Sequence, residues 1–78
     1  MNFTGTLEIR GEMHEVTGYY SGTVSRGGFT EITGSFDSPV RIAFGEKGHL
    51  TIEGTRFMFM ATKGNMLGSV VEFGNCAS

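Results

Sequence analysis

Tryptophan is absent from this chain, and proline and cysteine occur once each. With Cys76 alone, no internal disulfide can form. The two histidines, His14 and His49, belong to no Cys/His cluster of metal-ligand spacing, so neither a metal nor another cofactor is expected. No apolar run approaches the ~18 residues a membrane-spanning helix needs. The first residues lack the basic stretch and apolar core of a signal peptide. The expectation is a cytoplasmic chain without membrane contact, a compartment that suits an unpaired thiol. Runs of like charge are missing as well. Eight acidic and six basic residues are dispersed along the sequence, without the basic excess of a nucleic-acid binder. Nucleophile elbows and phosphate-binding loops are also lacking, so no catalytic residue is assigned.

What the chain has is glycine, thirteen in 78 residues, spaced between short segments rich in Thr, Val, Ile, Phe and Tyr. That composition is the mark of strands joined by tight turns. The length fits one domain, 1–78, with a short flexible tail at about 75–78. So small a core is marginal, and small folds compensate with disulfides, a metal or oligomerisation. The first two being excluded, self-association is the expectation.

The strands can be read in order. From Asn2 to Arg10, Phe3, Gly5, Leu7 and Ile9 alternate with Thr4, Thr6, Glu8 and Arg10, the period of a half-buried strand. Gly11-Glu12 reads as a Gly-X hairpin turn. Met13 to Ser25 alternates again, with Val16, Gly18, Tyr20, Gly22 and Val24 on the apolar face. Arg26-Gly27-Gly28 forms a turn; with Phe29 it is similar to one unit of the Arg-Gly-Gly-Phe repeats of RNA-binding tails, but a single copy in a hairpin is read as a turn. Phe29 to Phe36 makes a third strand, ended by Asp37-Ser38-Pro39. Val40, Ile42 and Phe44 read as a short fourth strand, Leu50 and Ile52 as a fifth, Arg56 to Thr62 as a sixth and Met66 to Phe73 as a seventh. The intervening turns are Gly45 to Gly48, Gly54-Thr55 and Lys63-Gly64-Asn65. The fold class is therefore all-β, a small antiparallel meander of six or seven strands closing into a barrel or curled sandwich. Phe3-Thr4-Gly5, Val16-Thr17-Gly18 and Ile32-Thr33-Gly34 share one pattern, read as inward glycines where the sheet curls.

One segment breaks the alternation. In Phe57-Met58-Phe59-Met60-Ala61 both faces are apolar, so the face carrying Met58 and Met60 needs a second cover. Methionine adapts to a partner surface, and Met66 with Val70 extends the patch in the next strand. Tyr19 lies on the polar face among Thr17 and Ser21, a recognition surface in reach of solvent. Tyr20 falls with the core, its hydroxyl reaching a rim or a backbone acceptor. His14 sits beside Glu12 and Glu15, so a carboxylate could orient it. The candidate ligand- or partner-binding residues are thus Met58, Met60, Met66, Tyr19, Tyr20 and His14, with no catalytic or metal site assigned.

These residues point to a non-enzymatic β-barrel binding module that self-associates. Its ligand would be a small apolar molecule in a cavity lined by Phe3, Leu7, Tyr20, Phe36, Phe44 and Phe59, or a protein partner on the apolar strand. The alternatives are a structural subunit acting through residues 57–61, and a small enzyme built at a subunit interface from His14 and Glu15.

Overall fold

The computed structural model describes residues 1–25, 28–66 and 68–76, with side chains outside 23–30. Six antiparallel strands are present: β1 (Asn2–Ile9), β2 (Glu12–Ser25), β3 (Gly28–Asp37), β4 (Lys47–Ile52), β5 (Thr55–Lys63) and β6 (Val70–Asn75). They close into a barrel in the order β1-β2-β3-β6-β5-β4. The first three strands and the last three are each a meander, and β3 against β6 and β1 against β4 join them. Closure leaves no strand of the sheet without neighbours on both sides along its barrel portion, which removes open edges.

Alternation decides which residues fill the interior. Phe3, Leu7 and Ile9 of β1 are buried, as are Val16 and Tyr20 of β2, Ile32 and Phe36 of β3, Leu50 and Ile52 of β4, Phe59 and Ala61 of β5, and Val71 and Phe73 of β6. Three phenyl rings meet across the middle. Phe36 stands edge-on to Phe59 at 5.7 Å, Phe59 edge-on to Phe73 at 6.1 Å, and Phe73 lies 5.6 Å from Phe36. Such edge-to-face contacts add to the burial of the rings themselves.

The curl that closes so small a barrel depends on Gly18 and Gly34. A Cβ on Gly18 would overlap the Ser35 carbonyl and the Phe36 Cα, and one on Gly34 would overlap the Tyr19 carbonyl and the Tyr20 Cα. The two glycines interlock across β2 and β3, as the Thr-Gly pattern implies.

Three expectations are corrected. The predicted fourth strand of Val40, Ile42 and Phe44 does not form; residues 38–46 are irregular. Ile42 is buried as the alternation requires, but its backbone pairs with a side chain. Ile42 N donates to Asn65 Oδ1 at 2.8 Å, Asn65 N donates to Ile42 O at 3.1 Å, and Asn65 Nδ2 donates to Val40 O at 2.9 Å. Phe44 is 77% exposed, so it is no part of the core. The hairpin turns fall one residue early: Ile9 pairs with Glu12 and Ile52 with Thr55, leaving Arg10-Gly11 and Glu53-Gly54 as the loops. Both residues of each loop have positive φ, the type I′ geometry that matches the twist of a hairpin and accepts glycine second. The predicted seventh strand starts late, at Val70, with Met66 in the turn before it. The turn at Arg26-Gly27 lies outside the described residues. At the C-terminal end, β6 runs through Asn75 and Cys76 N donates to Met58 O at 2.8 Å, so the chain stays on the barrel wall through residue 76.

Candidate functional site

With aromatic rings meeting at the barrel centre, the surface available for recognition is the outer wall. On the side formed by β1, β2, β3 and β6, strand register sets Asn2, Tyr19, Ser35 and Glu72 in a row. Tyr19 is 54% exposed in the middle of it. Its position follows from the curl described above. Gly18 and the buried Tyr20 flank it on the inner face, with Gly34 of β3 packed close against the Tyr19 and Tyr20 backbone, so the Tyr19 ring projects from the outer face of the barrel.

A groove lies on each side of this row. One, of about 520 Å³, is lined by Asn2, Thr4, Thr17, Ser35 and Asp37. The other, of about 510 Å³, is lined by Ser21, Thr33, Thr62, Ser35 and Glu72. Tyr19, Ser35 and Val70 border both. Neither groove is lined by a lysine, arginine or histidine among the described residues. Each has one carboxylate: Asp37, which accepts a hydrogen bond from Ser69 Oγ at 3.0 Å, and Glu72, which Lys63 approaches to 3.7 Å from the edge. The remaining polar groups are hydroxyls and one amide, which both donate and accept.

A different wall carries the methionines of β5. The inward residues there are Phe59 and Ala61, fully buried, with Phe57 half-buried; Met58 is 38% exposed and Met60 half-buried on the outside. The second cover expected for this face is thus not supplied by the chain itself at Met58. Met58 and Met13 border a groove of about 460 Å³ with Glu8, Arg10, Lys47 and His49. The Arg56 guanidinium grips Glu8 through Nη2 at 2.9 Å and Nε at 3.3 Å, and this hydrogen bonding holds the Glu8 carboxyl below its ordinary range. Arg10 pairs with Glu46 at the hairpin end and also donates to Arg41 O at 2.7 Å. The Glu46 carboxyl is lowered chiefly by the hydrogen bond from Ala43 N, with Arg10 adding to it.

The remaining sequence candidates are scattered. Met66 is exposed in its turn, borders a groove with Lys63 and Val70, and does not line the one at Met58. Tyr20 is 2% exposed, edge-on to Phe3 at 5.9 Å, with its hydroxyl donating to Glu53 at 3.3 Å; burial, with Glu53 second, raises its pKa. His14 Nε2 lies 3.0 Å from Glu12 Oε1, on the inward side of β2 with Val16, whereas Glu15 is on the outward side. The two members of the interface-enzyme pairing therefore face apart. Among the described residues no group of three or more His, Cys, Asp or Glu is placed to hold a metal, and no helix is long and apolar enough to cross a membrane.

Alternation alone marks Met13, Glu8, His49 and Arg56 as outward, but only the register across β5, β4, β1 and β2 brings them together. No signal within any one segment carries that register. Compared with known proteins, the chain matches no protein-family model, no curated protein and no solved structure.

Proposed function

We propose that this chain is a non-enzymatic binding module that self-associates and takes its ligand on the outer wall around Tyr19. The observation that carries the reading is the exposed Tyr19 ring set between two hydroxyl-lined grooves with no cationic lining. Tyrosine offers a rigid amphipathic contact at small entropic cost, and Ser, Thr and Asn beside it offer adaptable hydrogen bonds. Without a lysine or arginine, the grooves have nothing to neutralise a phosphate or sulfate. Their carboxylates and hydroxyls suit a ligand that is itself uncharged and rich in hydroxyl donors, which is the chemistry of a neutral saccharide chain. Three rings packed within about 6 Å at the barrel centre support a wall site over an interior one.

The test is an amide-shift titration with a panel of neutral gluco-, manno- and galacto-oligosaccharides, with sulfated chains as a control. The expected result is saturable shifts at residues 17–21 and 33–37 with at least one neutral chain. Tyr19→Ala should weaken that binding about ten-fold or more, the loss typical of an aromatic anchor. Shifts with sulfated chains only, no shifts at all, or binding that survives Tyr19→Ala would each overturn the reading.

A further inference from the structure

We infer that the wall formed by β4 and β1 is a two-fold interface with a second copy of this chain. The inference rests on the self-association in the reading above and not on the ligand at Tyr19. Register places Met58, His49, Glu8 and Met13 side by side across β5, β4, β1 and β2. The adjacent row, across the same strands, is Arg56, Thr51, Thr6 and Glu15. Each row is chemically self-complementary about its midpoint. The first reads apolar, base, acid, apolar; the second reads cation, hydroxyl, hydroxyl, anion.

A two-fold axis lying in this wall, parallel to the strands and between β4 and β1, exchanges the ends of both rows. It sets Met58 against Met13 of the second copy and His49 against Glu8. In the next row it sets Arg56 against Glu15 and Thr51 against Thr6. One axis satisfies both rows, and every contact it makes is made twice, as a closed dimer requires. Laying the second row on itself without reversal instead puts Glu15 on Glu15 and Arg56 on Arg56.

The exposure of these groups fits such a contact. Met13 is 67% exposed and Met58 38%, and together they border one groove, so their flexible side chains can cross toward a facing wall. Glu15 has no ion pair among the described residues. Arg10, at the end of the groove, has its charge met by Glu46 in its own chain. The Tyr19 grooves share no lining residue with this wall, so a dimer leaves them open.

The test uses the full chain and two charge reversals, read by sedimentation. Wild type should sediment at twice the 8.4 kDa of one chain. Glu15→Arg sets Arg against Arg twice, and Arg56→Glu sets Glu against Glu twice; each should weaken self-association by about ten-fold or more. An equimolar mixture of the two variants restores an opposite-charge contact on both sides and should recover the dimer. Arg56 also holds Glu8 in its own chain, so a second pair guards against a folding defect. Met13→Lys and Met58→Glu should each weaken the dimer alone and recover it when mixed. Dispersed amide spectra confirm that every variant is folded. A wild-type monomer at millimolar concentration, or mixtures that do not recover what their components lose, would overturn the inference. Saccharide shifts at Tyr19 in a monomeric protein would leave the ligand reading standing, and a dimer without those shifts would do the reverse.

Discussion

Asn65 shows how a single side chain stands in for a strand. It is 3% exposed, and its amide gives Ile42 an acceptor and Val40 a donor, while its carbonyl accepts from Arg41 Nη1 at 2.7 Å. Replacing it with Ala strands the Ile42 N–H, while the Val40 carbonyl keeps the Ser38 hydroxyl at 2.7 Å. At about 1–3 kcal/mol for an unsatisfied buried group, the loss should be roughly 1–3 kcal/mol, read from denaturant unfolding. Asn65→Asp keeps the acceptor for Ile42 but sets a carboxylate oxygen against the Val40 carbonyl in a buried site, so it should cost at least as much. Gly34→Ala acts by overlap instead: its Cβ would meet the Tyr19 carbonyl, and the forced separation of β2 and β3 should cost about 1–3 kcal/mol or more. Charge enters through Glu8 and Glu46, whose carboxyls both lie below their ordinary value of 4.5 in the folded chain. Groups shifted this way stabilise the fold above the usual carboxylate range and lose that contribution as pH falls through it. The unfolding midpoint should therefore drop between about pH 5 and pH 3, and the drop should be smaller in Glu8→Gln.

At the scale of elements, alternation in single segments was enough to place the inward faces of β1, β2, β3 and β5, because each runs long enough to repeat its period. It failed where burial and strand pairing part company. Ile42 has the burial of a strand residue, and Val40 packs against the core, yet the donors and acceptors there go to a distant asparagine and to the Ser38 hydroxyl rather than to a strand. Alternation places the turns one residue late because Gly-X and X-Gly loops leave the same alternation on either side; only the backbone decides, with φ of 51° at Glu53 and 80° at Gly54. That geometry makes Gly54→Ala a clean probe, since nothing lies near the added Cβ and only the positive φ resists it. The expected cost is about 1–2 kcal/mol in thermal or denaturant unfolding. The doubly apolar pattern of β5 marked Met58 correctly as a side chain facing away from the interior, but not its neighbours His49, Glu8 and Met13, which arrive from other strands.

For the whole molecule, closure does two things at once. It packs Phe36, Phe59 and Phe73 into a common centre, and it leaves two outer walls with different chemistry. The wall of β1, β2, β3 and β6 is hydroxyl-rich, has carboxylates but no cation lining its grooves among the described residues, and is centred on Tyr19. The wall of β5, β4, β1 and the start of β2 pairs methionines with charges of both signs. The first wall is proposed to take a ligand and the second another copy of the chain. Amide spectra of the protein alone, recorded over a dilution series, test that division most directly. The expected result is concentration-dependent shifts at residues 6, 8, 13, 15, 49, 51, 56 and 58, with Tyr19 and its neighbours unmoved. Shifts centred on Tyr19 and Ser35, or spectra that do not change on dilution, would contradict it.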